Sequence, residues 1–297
     1  MTSLELRRVR FDLDGDIPFI WNPQNPTFSV LTNAVSIIAI AFEKLIVAAT
    51  WEAIPLITDP EAKSEAEAFL RQEAQHANAH RQHIRALARR YPGLEQTLAD
   101  AVRCFDRLTD TAPLDFRLAY AANLEATFTP YFKLLLDNEA TLFAPGDERV
   151  ASLFLWHFVE EVEHRSSALI VYDALIHNRV HRVRALPAIL KHMNQALVIV
   201  VDGFNKHVPE ADRIIDAHRA LPALTPSALR RPRPAPPALA HLSNRQKSVA
   251  MLRILESQTP WHNPTDQPLP RFADRWFRRY NDGADIAHWY SAAAASR

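Results

Sequence analysis

With a single cysteine, Cys104, the 297-residue chain can close no disulfide of its own and build no multi-thiolate metal site. That scarcity fits a reducing compartment, and the expected location is the cytoplasm. Glycine is scarce as well, at 5 residues, and against frequent Ala and Leu this favours helices over sheets. Net charge is missing: 34 Lys+Arg offset 34 Asp+Glu, so nothing points to a nucleic-acid partner. Clean apolar runs are also missing. Arg7, Arg8 and Arg10 lead into Phe11-Asp12-Leu13-Asp14 rather than a signal-like segment; Val30 to Ala49 is interrupted by Glu43-Lys44, and Ala196 to Val201 is too short to span. A soluble protein is expected, and 48% hydrophobic residues suffice for a sizeable core.

What the chain does have is long helical periodicity punctuated by proline. Pro18, Pro23 and Pro26 keep the first 27 residues irregular. One helix is expected from Thr27 to Ile54, and a second from the Asp59-Pro60 start signal to about Arg90, before Tyr91-Pro92-Gly93. A shorter one follows over Leu94 to Leu108. A third long helix covers Leu114 to Asn138, with Pro130 kinking it near Glu125. A fourth runs unbroken from Glu148 to Leu175. Beyond Asn178 the pattern weakens: helices are expected over Val183 to Lys206 and Pro209 to Ala220, then a Pro-rich connector from Pro222 to Pro237. Shorter pieces follow at Ser243 to Gln258 and Phe272 to Tyr280. The expected division is a helical body over residues 1–221 and a connector with tail over 222–297, docked through Trp261, Trp276, Phe277 and Trp289.

Each long helix carries an acid on an otherwise apolar stripe. Glu43 stands with Ser36, Ile40 and Val47; Glu73 and His76 with Phe69, Leu70 and Ile84; Glu125 with Leu118, Ala122 and Phe132. The fourth stripe holds Leu153, His157, Glu161 and His164. An acid between imidazoles on an inward face is costly to bury without a partner, and a metal cation suits all of these groups. Residues three apart share a face, so each Glu-x-x-His unit can offer a bridging carboxylate and a terminal imidazole. Acid, Glu-x-x-His, acid, Glu-x-x-His is the ligand order of di-iron and di-manganese carboxylate bundles. The expectation is therefore an all-α, ferritin-like four-helix bundle with additional C-terminal helices, holding two iron ions, with manganese as the alternative. Glu73 and Glu161 would bridge; Glu43, His76, Glu125, His164 and His157 would be terminal.

Residues 5–220 resemble the ferritin-like family labelled predicted metal-dependent hydrolases. The resemblance rests on Arg10-Phe11-Asp12, Gln72-Glu73-Ala74-Gln75-His76 with His80, and Trp156-His157 through Glu160-Glu161-Val162-Glu163-His164. Locally, His157-x-x-x-Glu161-x-x-His164 is similar to the p-aminobenzoate N-oxygenase di-iron family, where an added histidine one turn before the last Glu-x-x-His ligates iron. That second resemblance implies ligation by His157; nothing in this sequence matches the arylamine recognition of that family.

Of the remaining polar residues, Glu160 is expected to hydrogen-bond a ligating imidazole and fix its tautomer. His80, one turn beyond His76, is expected behind a ligand or as a ligand itself. Tyr120, Tyr131 and Tyr172 read as packing, and Asp14, Glu52, Glu65, Glu67 and Glu163 as solvated charge. Three functions share this ligand set: an oxygen-activating di-iron oxidase or oxygenase, a two-metal hydrolase, and ferritin-like iron handling. The first is favoured, with dioxygen, an unidentified small molecule and an external electron donor as partners. A homodimer is compatible with the sequence.

Overall fold

The computed structural model describes residues 4–221 and 237–291. Local chemistry starts and stops the helices much as the sequence implies. Asn25 caps α1 (Pro26–Ala53) by accepting from the Phe28 amide at 3.1 Å, with Pro26 already at helical φ. Asp59 does the same for α2 (Pro60–Arg90), accepting from Ala62 at 2.8 Å. α3 (Gly93–Thr111) follows, then α4 (Leu114–Leu136), which stays helical through Pro130. After a single turn, α5 (Glu139–Leu142), Asp147 caps α6 (Glu148–Glu163). Then come α7 (Ser167–Ile176), α8 (Arg179–His207) and the short α9 (Glu210–Arg213) and α10 (Ala217–Ala220). In the tail lie α11 (Asn244–Ser257) and α12 (Arg271–Asn281). No strand occurs among the described residues, so the chain is all-α.

Contacts across the interior give the helix directions. Ser36 meets His80 and His83 while Glu43 meets the His76 end, so α1 and α2 run antiparallel. Phe132 stacks on Phe158 at 3.9 Å while Glu125 meets His164, so α4 and α6 also run antiparallel. By length and composition Pro26–Leu56 could cross a membrane, but 72% of its most apolar window is buried inside the molecule, where α2, α3 and α4 use that surface. α8 lies across α3, α4 and α1. A Cβ at Gly203 would stand 2.2 Å from the Thr97 hydroxyl, so glycine there permits the close approach of α8 to α3.

Four expectations need correction. The helix over 148–175 is broken between His164 and Ser166: Arg165 donates to the Val162 carbonyl and the Ser167 amide bonds His164 O at 2.8 Å, which resets the ladder. The 209–220 segment is two single turns, because Ile214 adopts φ 60° and Asp216 then caps a fresh start at Ala217 by accepting from the His218 amide. Glu163 and Glu65 are not solvated charges: Glu163 receives Arg7 and Gln72, and Glu65 receives Ser167. Trp261 is 76% exposed, because Arg182 anchors this turn through the backbone carbonyls of Ser257 and Thr259 rather than through the indole. Trp276 and Trp289 are buried and join the main core, and Phe277 packs against its edge. The expected Pro-rich connector falls, but for Pro237, outside the described residues.

Candidate metal centre

Antiparallel packing of α1, α2, α4 and α6 brings all seven expected ligands together, none more than 3% exposed. Glu43 comes from α1, Glu73 and His76 from α2, Glu125 from α4, His157 and Glu161 from α6, and His164 from the residue that caps α6. They form two groups. Glu43, His76, His157 and Glu161 offer donor atoms within 4.8 Å of one another, and so do Glu73, Glu125, Glu161 and His164. Glu161 belongs to both. Its Oε1 lies 2.8 Å from His157 Nε2 and 3.3 Å from His76 Nδ1, while its Oε2 lies 3.0 Å from His164 Nε2. Glu73 Oε1 stands 3.2 Å from His164 Nε2 and 4.0 Å from His76 Nδ1, so it too lies between the groups. Donors held about 2.0–2.2 Å from a small divalent ion stand about 3 Å apart, which these spacings match.

Bonding of the buried atoms points the same way. Glu43 Oε2, both oxygens of Glu73, His76 Nδ1 and Glu125 Oε1 are buried without a hydrogen-bond partner. Buried polar atoms left unpaired cost several kcal/mol together, so five of them shared between the two groups call for cations. Four carboxylates around three imidazoles also match the charge of two divalent ions.

Each imidazole is turned by a partner on its outer nitrogen. His76 Nε2 donates to Glu160 Oε2 at 3.0 Å, leaving Nδ1 inward. His164 Nδ1 donates to Gln72 Oε1 at 3.0 Å, leaving Nε2 inward. His157 Nδ1 faces His80 Nε2 at 2.7 Å, and His80 continues through Ser36 Oγ to His83. His80 therefore stands behind a ligand and outside both groups. Glu160 is itself held by Arg7, whose guanidinium lies 3.2 Å from its Oε1, binds Glu163 twice, and sits over Phe277 at 5.0 Å and Tyr280 at 5.3 Å. Arg7 and Gln72 escaped the sequence reading: an arginine in an irregular leader gives no periodic signal, and an amide beside Glu73 looks like helix surface.

The metal-free protein holds this charge with protons. Burial, then Glu161 and Glu125, pushes the Glu73 carboxyl well up, and burial with Glu161 takes Glu125 up to about 8. Burial and the neighbouring His157 oppose charge on His76, but the adjacent carboxylates of Glu160 and Glu161 outweigh them and raise that group to about 9. His157 rises to about 9 despite its burial, through Glu161 and Glu43. Burial resists ionisation of Glu161 too, yet the surrounding imidazoles, His164 first, hold it well below the usual carboxylate range.

The three tyrosines lie outside both groups. Tyr120 meets His192, Tyr172 donates to Asn178 O, and Tyr131 lines a cavity beside Glu43 and His157. No curated protein and no solved structure matches the chain significantly. The model of the family described as predicted metal-dependent hydrolase matches residues 5–240, so this chain, with its two buried acid and histidine groups, belongs to that family.

Proposed function

We propose that the protein is a ferritin-like di-iron enzyme that activates dioxygen to oxidise a small molecule. The observation that carries this reading is Glu161, shared between two fully buried, carboxylate-rich groups with three inward imidazoles. Glu73 and Glu161 would bridge, and Glu43, His76, His157, Glu125 and His164 would each hold one ion. Ferrous iron held there would provide redox chemistry toward dioxygen, with substrate or an external donor as the source of the remaining electrons. The chain contributes the rest. Its carboxylates and neutral imidazoles prefer iron or manganese to softer metals. Glu160, Gln72 and His80 fix imidazole orientation, and Trp156, Phe69, Phe132 and Phe158 pack around the histidines and keep water out.

A second reading, two-metal hydrolysis, is favoured by the family's description and uses the same ligands to activate water. Anaerobic reconstitution with ferrous iron, elemental analysis and oxygen uptake separate the two. The expected result is two irons per chain and oxygen consumption on air exposure. Fewer than two metals would sink the di-metal centre. Two metals with ester or phosphoester turnover under strict anaerobiosis, and no oxygen uptake, would give the hydrolase.

A further inference from the structure

Several clefts mark the surface, and the larger ones, such as that of about 600 Å³ beside Trp51 and Arg71, touch none of the seven ligands. A smaller cavity of about 270 Å³ does: it lies between α1, α4 and α8, and its inner end is formed by Glu43 and His157. We propose that this cavity is the substrate site of the metal centre and that it takes an uncharged, apolar small molecule about the size of one substituted ring. The proposal deepens the di-metal reading and rests on it for what lies at the inner end.

Its walls argue for the substrate class. Val35 and Phe42 come from α1, Phe128 and Phe132 from α4, and Met193 and Leu197 from α8. Beyond Glu43 and His157, none of the described lining residues carries a charge. The Tyr131 phenol is pushed up to about 12 by burial and stays neutral, and the Thr127 hydroxyl already donates to Leu124 O at 2.7 Å. Among the described lining residues no cation or free donor array is present to hold a phosphate, carboxylate or sugar, and burying an unpaired ion is strongly unfavourable. Aromatic edges and faces with a flexible thioether are instead suited to rings and short alkyl groups. The volume is just under the usual range for ligand pockets, which limits the guest to a small one. Glu43 Oε2 is buried without a partner at the inner end, so the guest would meet a ligand of the first metal group there.

Toluene and benzylammonium serve as probes, one neutral and one cationic with the same ring. Binding is followed by proton NMR on protein loaded with cobalt(II), with zinc-loaded protein as the diamagnetic reference. Toluene is expected to bind, with its resonances broadened by cobalt, and benzylammonium to bind at least about tenfold more weakly. Ala34→Phe and Leu197→Trp, which fill the cavity from two different helices, should each weaken toluene by about tenfold or more at unchanged cobalt content. Circular dichroism identifies a variant that has not folded, and the other then carries the test. Toluene binding that is unbroadened by cobalt, or unchanged from wild type in the folded variants, overturns the proposal; so does equal binding of the two probes. Failure of the metal centre reads out separately, as protein that takes up no cobalt, while loss of toluene binding in the filled variants would still uphold the cavity as an apolar ligand site.

Discussion

Glu161 and Glu160 are neighbours in sequence with the same charge and nearly the same burial, yet they point to different work. Glu161 belongs to both metal groups, whereas Glu160 lies between His76 Nε2 and Arg7. On the proposed di-metal reading, removing the shared carboxylate would take a donor from both ions, whereas removing the acid behind the imidazole would only free its ring to turn. Glu161→Ala is therefore expected to lose both metals. Glu160→Gln should retain two but bind one of them about 10–100-fold more weakly, the usual cost of deleting such a partner. Metal titration with elemental analysis checks this, and equal loss in the two variants would count against the assignment. Arg7 extends the same logic outward: it holds Glu160 with one nitrogen and lies against the rings of α12, so the leader and the tail both bear on His76.

Among elements, α8 and the tail meet at Arg182, which is fully buried without a carboxylate partner. It donates to Ser257 O at 3.1 Å and Thr259 O at 2.7 Å, and to Asn123 Oδ1 of α4 at 3.3 Å. One cation thus ties the end of α11 to two helices of the body. Hydrogen bonds to a charged group contribute about 1.5–3 kcal/mol each, and their loss would leave buried carbonyls unpaired. Arg182→Ala should lower unfolding stability by about 3 kcal/mol or more and make the segment after α11 the first site of proteolysis. Metal content should stay unchanged, since Arg182 touches no ligand. Urea unfolding with limited proteolysis provides the measurement; a variant with wild-type stability would show that the tail is held without Arg182.

The whole molecule carries two opposed pH dependences. His76 and His157 have folded values near 9 and Glu125 near 8, all above their ordinary ones. Without metal, the folded protein then binds more protons than the unfolded chain, so their contribution is full at low pH and is lost as pH rises toward about 9. Metal-free protein should show a falling Tm between about pH 6.5 and 9. Metal-loaded protein should be nearly flat there, because cations have replaced the protons, and loading should release protons. A metal-free Tm that rises across this window would contradict the site's electrostatics. His83 acts oppositely: burial lowers it to about 4, so its contribution is present above 6.5 and is lost as pH falls toward 4. That difference amounts to about 3 kcal/mol, and comparison with His83→Gln over the acid window isolates it.

Much of this protein was legible in one dimension, because helix periodicity and capping are local. Asp59-Pro60 marks a start that the structure keeps, Pro26 opens α1 instead of preceding it, and the apolar stripes show which face of α1, α2, α4 and α6 turns inward. Spacing along a helix also fixes that Glu73 with His76, and His157 with Glu161, share a side. What spacing cannot state is how helices far apart in sequence are set against one another. Only packing decided that Glu161, more evenly than Glu73, lies between the two groups, and that His80 faces His157 rather than the interior of the site. The break after His164, the clamp of Arg7 on Glu160, the partner Gln72 and the cavity beside Glu43 likewise depend on contacts between distant segments. Their side chains carry no periodic signature, and their roles come from what the tertiary structure places opposite them.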